Sequence, residues 1–300
     1  MGWFPFKRLV LTAALLAGLS ACATPGPLLT TDITSIRAGV AATRDQARTA
    51  FEAGNQLAMD QDVAWKLKQA DANLRESDFP LPVAPADALA WDNAFGALDA
   101  YGAALQRLVA PDQAAATSDA ISKLGAQLNS GPLNAGLPSS VQALFATFGG
   151  ALVQASAEKS ATDIMRRADP AFHTVTVGMA DAVGDSPRNR ASLQFTVYSN
   201  WTASLAAITA SYSATAPTDT ATRRDLIQKY VAAIQARDAQ LANLSQLRTS
   251  LLALAEAHAA AARGQPGDAQ FWIGRINGWL DDIKQRADAA AQAQAQGSAK

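Results

Sequence analysis

Apolar residues recur along most of the chain at spacings of three and four, the period of helices that bury one face. From the capping pair Thr31-Asp32, the positions Ile33, Ile36, Val40, Ala47, Phe51, Val63, Leu67 and Leu74 predict one long amphipathic helix. Its expected end is near Ser77-Asp78, because Pro80, Pro82 and Pro85 follow and cannot continue it. A second helix carries Leu89, Trp91, Phe95, Leu98, Tyr101, Leu105 and Leu108 and stops before Pro111, and a short third carries Ile121, Leu124 and Leu128. Loop signals at Gly131-Pro132 and Gly136-Leu137-Pro138 precede a fourth helix, expected from Ser139-Ser140 to about Ala168 and closed by Asp169-Pro170. His173 to Val177 alternate with period two, but a lone strand has nothing to pair with, so a short helix from Pro170 is expected there.

After the turn Gly184-Asp185-Ser186-Pro187, Leu193, Val197, Trp201, Leu205, Ile208 and Tyr212 form an i, i+4 stripe. Beyond Pro217, Ile227, Tyr230, Ile234, Leu241, Leu244, Leu251, Leu254 and His258 continue a second long helix up to Gly264. Its near-heptad spacing, interrupted by Arg237 and Arg248, reads as an antiparallel coiled-coil partner. A last helix after Asp268 places Trp272, Ile276, Trp279, Leu280 and Ile283 on one face. No repeat of fixed period is present, which argues against a solenoid. The expected fold is therefore all-α: an elongated up-down helical bundle forming a single domain over 32–288, with coiled-coil-like packing and two long helices of about 45 residues. Residues 289–300, mostly alternating alanine and glutamine, form a low-complexity tail.

Composition supports that reading. Alanine supplies 69 of the 300 residues, and alanine is the best helix former and a poor strand former. Charged residues make up only 17%. The formal charge of −1 becomes −3 without Lys7 and Arg8, too small to imply a nucleic-acid partner. The only cysteine is Cys22, so no internal disulfide can form.

That cysteine ends a recognisable segment. Lys7-Arg8 precede the uncharged run Leu9 to Leu19, too short to cross a bilayer as a helix, and the run closes in Leu19-Ser20-Ala21-Cys22. The segment resembles the lipobox of bacterial lipoproteins. The resemblance implies a signal peptide over 1–21, lipidation at Cys22 and a tether over 22–31 that reaches about 30 Å. It also implies anchoring by more than one acyl chain, since each buried methylene contributes about 0.8 kcal/mol. Ala23 follows the cysteine where enteric inner-membrane lipoproteins carry aspartate, which implies the outer membrane, on the periplasmic face.

The inventory of reactive groups is thin. Glutamate occurs only at Glu52, Glu76, Glu158 and Glu256, and the histidines, His173 and His258, lie far apart. This excludes the Glu-x-x-His spacing of di-iron bundles and makes a zinc site a matter of chance in the fold. No nucleophile elbow or phosphate-binding glycine pattern is present, and Phe148-Gly149-Gly150-Ala151 lacks the lysine and strand such a loop needs. His258 is expected as a bundle-facing or flank residue and His173 as a loop or first-turn residue. No catalytic, cofactor or metal site is expected.

One segment departs from the background. No charge occurs between Lys123 and Glu158. Its centre, with Val141, Leu144, Phe145, Phe148 and Leu152, reads either as a helix surrounded on all sides or as a membrane or partner contact. Long helices around an apolar hairpin are similar in architecture to α-helical pore-forming toxins of the cytolysin A type. The leading functional expectation is an interaction or scaffold protein of the envelope, held to the membrane through Cys22, with protein partners there and no nucleic acid. The alternatives are a membrane-active protein exposing residues 141–157 and a small-molecule-binding or enzymatic bundle.

Overall fold

The computed structural model describes residues 27–66, 73–109, 114–130, 139–158, 160–265, 268–279, 281, 282 and 285. They form helices α1 (Pro27–Lys66), α2 (Pro85–Leu108), α3 (Ala114–Ser130), α4 (Ser139–Ala155), α5 (Ala161–Val183), α6 (Leu193–Ala214) and α7 (Thr220–Ala262), and an α8 over 268–279. A single 3-10 turn, Glu76–Asp78, lies between α1 and α2, and no strand occurs among the described residues. The all-helical expectation is met. Cys22, the segment 1–21 and the segment 289–300 lie outside the described residues.

Two helices dominate the molecule, α1 with 40 residues and α7 with 43, about 60 and 65 Å long at 1.5 Å per residue. They run antiparallel in close contact. Gly39 on α1 lies against Leu254 and, from α8, Ile273, while Gly54 lies opposite Gln240. At Gly39 the closest neighbour belongs to α8: an added Cβ would stand 2.5 Å from the Ile273 Cδ1 and 3.5 Å from the Leu254 Cδ1 of α7. Gln240 then fastens three helices, accepting from the Trp201 Nε1–H of α6 (2.7 Å) and donating to the Ala53 carbonyl of α1 (3.1 Å).

Several boundaries differ from the sequence expectation. α1 begins at Pro27, inside the expected tether, because proline at a first helical position loses no hydrogen bond. Thr31-Asp32 is therefore no cap, and Asp32 is buried within the helix, where burial raises its carboxyl above the ordinary value. At the other end residues 73–75 are already non-helical and Leu74 is exposed; the Lys66–Asp78 ion pair (2.8 Å) holds the 3-10 turn against the helix end.

The fourth helix expected to reach Ala168 is two. α4 stops at Ala155, and α5 starts behind Ser160, whose hydroxyl accepts from the Asp163 N–H at 3.1 Å. Asp169-Pro170 closes nothing, since α5 continues through Pro170 to Val183 and absorbs His173 to Val177 as helix. Gly184, at φ +94°, ends it.

The most enclosed stretch is the carboxyl end of α7, not α4. Residues Ala253 to Ala255 and Ala257 to Ala262 are all buried and mostly alanine, so neighbouring helices close in around them, with Glu256 left exposed. α4 buries one face, with Val141, Phe145, Phe148, Leu152 and Ala155 inward and Ala143, Thr147, Val153 and Gln154 outward. Its crossing with α3 is built glycine on glycine. A Cβ at Gly125 would meet the Gly149 carbonyl at 2.6 Å, and a Cβ at Gly149 the Gly125 carbonyl at 2.5 Å. The Phe148-Gly149-Gly150 stretch thus serves backbone packing.

Candidate functional site

Polar groups inside an apolar bundle need partners, and the most complete set links α2, α5 and α7 through His258. Tyr101 lies on the apolar face of α2 and His258 on the inner face of α7, and both are fully buried. Asp169 comes from α5, the residue before Pro170, and keeps about a quarter of its side chain exposed. The His258 Nδ1 lies 2.7 Å from the Asp169 Oδ1, and its Nε2 lies 3.0 Å from the Tyr101 Oη.

The chemistry fixes the proton positions. A carboxylate only accepts, so Nδ1–H donates to Asp169, and the lone pair at Nε2 is left to accept the Tyr101 hydroxyl proton. Burial holds the imidazole below the ordinary histidine value, against the opposing pull of Asp169, so His258 is neutral at neutral pH. Burial, together with the Asp169 charge, pushes the Tyr101 phenol well above its ordinary value and keeps it protonated. The result is a three-membered line from a partly exposed carboxylate to a sealed phenol.

Aromatic rings enclose it. Phe172 stacks on His258 with centroids 4.1 Å apart and planes 13° from parallel. Phe148 of α4 sits edge-on to Tyr101 at 5.4 Å and to Phe172 at 6.0 Å. The uncharged segment therefore rests directly on the polar line. Tyr101 and His258 are closed to solvent, so a substrate has no entry to them.

The open clefts lie elsewhere. One of about 480 Å³ between α1 and α6 is lined by Ala58, Asp62, Pro80, Asn200, Ala203, Ser204 and Ala207. Burial raises the Asp62 carboxyl there. Another of about 260 Å³, between α1 and α2, carries Trp91, Phe51 and an ion-pair cluster in which Arg44 and Arg48 both bind Asp92. These guanidinium groups hold the Asp92 carboxyl below the ordinary carboxylate range. A third, about 300 Å³, lies near the α6–α7 turn between Ile208, Tyr212, Leu226, Ile227 and Tyr230. Among the described residues no group of three or more His, Cys, Asp or Glu side chains could hold a metal ion, and no helix is long and apolar enough to cross a membrane.

Of the residues singled out as possible contacts, Val141, Phe145, Phe148 and Leu152 are buried and Leu144 is half-buried against Gly178. In this arrangement they form core. His258 faces the bundle as expected, whereas His173 is exposed in the middle of α5, not in a loop or first turn. Sequence reasoning missed the partners of His258. Asp169 read as a helix stop, and Tyr101 as one more apolar position, although a buried tyrosine hydroxyl signals a hidden acceptor. No family model, curated protein or solved structure matches the chain.

Proposed function

We propose that the chain is a bacterial lipoprotein: a helical bundle held to the envelope through lipidated Cys22, serving as an interaction or scaffold component without a catalytic centre of its own. The observation that carries this reading is the placement of the only cysteine, after Lys7-Arg8, the uncharged run from Leu9 and the small residues Ser20-Ala21. The outer membrane, on its periplasmic face, is the proposed address. The bundle is a single elongated up-down domain with α1 and α7 paired in coiled-coil fashion. The antiparallel register of Gly39 with Leu254 and Gly54 with Gln240 supports that packing.

The test is Cys22→Ser in a bacterial host. The native chain is expected in the membrane pellet and the variant in the soluble fraction; a variant that still pellets with membranes contradicts anchoring through Cys22. A second reading, a membrane-active protein that exposes residues 141–157, is favoured by the lack of charge between Lys123 and Glu158. It requires a state in which α4 leaves the core, so leakage of dye-loaded vesicles together with protease protection of that segment separates it from the first.

A further inference from the structure

We propose that the line Tyr101, His258 and Asp169 is a proton-operated latch: with His258 neutral it ties α2, α5 and α7 together beneath Phe148, and a proton added at Nε2 undoes the tie to Tyr101 and loosens α4 from the core. The geometry carries each step. Neutral His258 offers one acceptor, at Nε2, and the Tyr101 hydroxyl 3.0 Å away uses it. A proton from solvent placed on Nε2 turns that acceptor into a donor. Tyr101 must then accept, and its own hydroxyl proton loses its partner. The rings of Phe148 and Phe172, which flank Tyr101, offer neither oxygen nor nitrogen in exchange. A buried hydroxyl without a partner is costly, and a buried imidazolium is costlier.

The surroundings do little to offset that charge. Asp169 on α5 is the one carboxylate bonded to His258, and it is already engaged at Nδ1. α4 carries no charged residue. On α2 the group in contact is the neutral phenol of Tyr101. On α1 the register of Gly39 with Leu254 and Gly54 with Gln240 brings in Asp32, about one helical turn along, buried and held above its ordinary value by that burial, and Arg37, which lies against Gly102 and is already paired with Asp99 of α2. On α7 itself Glu256 and Arg263 are exposed, and α6 meets α7 further towards its amino end, at Gln240 and Ser245. The strained element is then the one resting on the rings: α4 through Phe148.

Hydrogen exchange of the full mature chain between pH 7.5 and 4.5, corrected for the intrinsic pH dependence of exchange, tests this directly. Opening of residues 141–155 is expected to increase about tenfold per pH unit below about pH 6.5, as one-proton linkage requires, while amides of α6 stay flat over the same range. His258→Gln, which keeps a hydrogen-bonding side chain but cannot titrate, is expected to abolish the slope, and His173→Gln, at the exposed histidine of α5, to retain it. Asp169→Asn keeps a polar partner but removes the charge that favours the imidazolium, so the folded-state value of His258 falls further and the slope still begins near pH 6.5 but runs on to lower pH before levelling. A flat native profile, a slope that survives in His258→Gln, or a slope in Asp169→Asn that levels off at higher pH than in the native chain overturns the latch. Should His258→Gln fail to fold, the native profile and the Asp169→Asn shift decide the matter alone.

Discussion

A phenol, an imidazole and a carboxylate meet in the interior of this molecule at 3.0 and 2.7 Å, and each is there for a reason that can be tested one atom at a time. Tyr101→Phe keeps the ring contacts with Phe148 and Phe172 but leaves the His258 Nε2 without its donor. An orphaned buried acceptor costs about 1–3 kcal/mol, so chemical denaturation at neutral pH is expected to show a loss of that size. A change within error would mean that the hydroxyl contributes nothing to stability. The sequence made His258 legible as an inward residue, because it continues the stripe of Leu251 and Leu254. Its partners were not legible. They come from 89 and 157 positions away, and no local period encodes a meeting of three helices.

At the scale of the element, the stripes of branched and aromatic residues located the helices, while the capping pair Thr31-Asp32 and the pair Asp169-Pro170 misplaced helix ends. The pair Asp169-Pro170 predicts a stop, yet α5 runs through it. Pro170 is exposed, and packing on both sides, from Ile164 and Met165 to Val175 and Met179, holds the helix continuous. Because an interior proline costs about 3 kcal/mol relative to alanine, offset in part by the stiffer unfolded chain, Pro170→Ala is expected to raise the midpoint of urea unfolding. A lowered midpoint would show that Pro170 is needed to aim Asp169. The glycines of the uncharged segment carry the opposite lesson. Gly149 sits against the Gly125 carbonyl, where even one methyl group has no room. Gly149→Ala is expected to destabilise by about 1–3 kcal/mol, as overpacking does. Gly150→Ala, where an added Cβ meets nothing within 4 Å, is expected to be neutral or slightly stabilising; equal effects at the two positions would contradict the close crossing of α3 and α4.

Across the whole molecule, the small side chains that made the composition unusual turn out to be concentrated where helices crowd. The last ten residues of α7, 253–262, are mostly alanine and all buried except Glu256, whereas the uncharged α4, whose composition suggested burial on all sides, has one face in solvent. Absence of charge was misleading there because alanine, threonine and glutamine make an outer face that hydropathy does not separate from core. The placement of ionisable groups also sets how the assembly responds to acid. His258 is held below its ordinary value, so its contribution is intact above about pH 6.5 and is lost as pH falls below that point. Asp92, held low by Arg44 and Arg48 across α1 and α2, contributes stability that is intact above about pH 3.9 and is lost as pH falls further, through its lowered folded value. Urea unfolding followed over pH 8 to 3 is expected to show these as two separate declines, with Asp92→Asn reducing only the lower one. A single decline near pH 4 would place the His258 contribution at zero.

The proposed role rests on what happens at one residue outside the described helices, so intact-mass measurement of the protein purified from bacterial membranes tests it most directly. The expected mass corresponds to a chain that begins at Cys22 and carries diacylglyceryl and amide-linked acyl groups; a chain that begins elsewhere, or at Cys22 with a free thiol and no acyl mass, contradicts the anchored-bundle account.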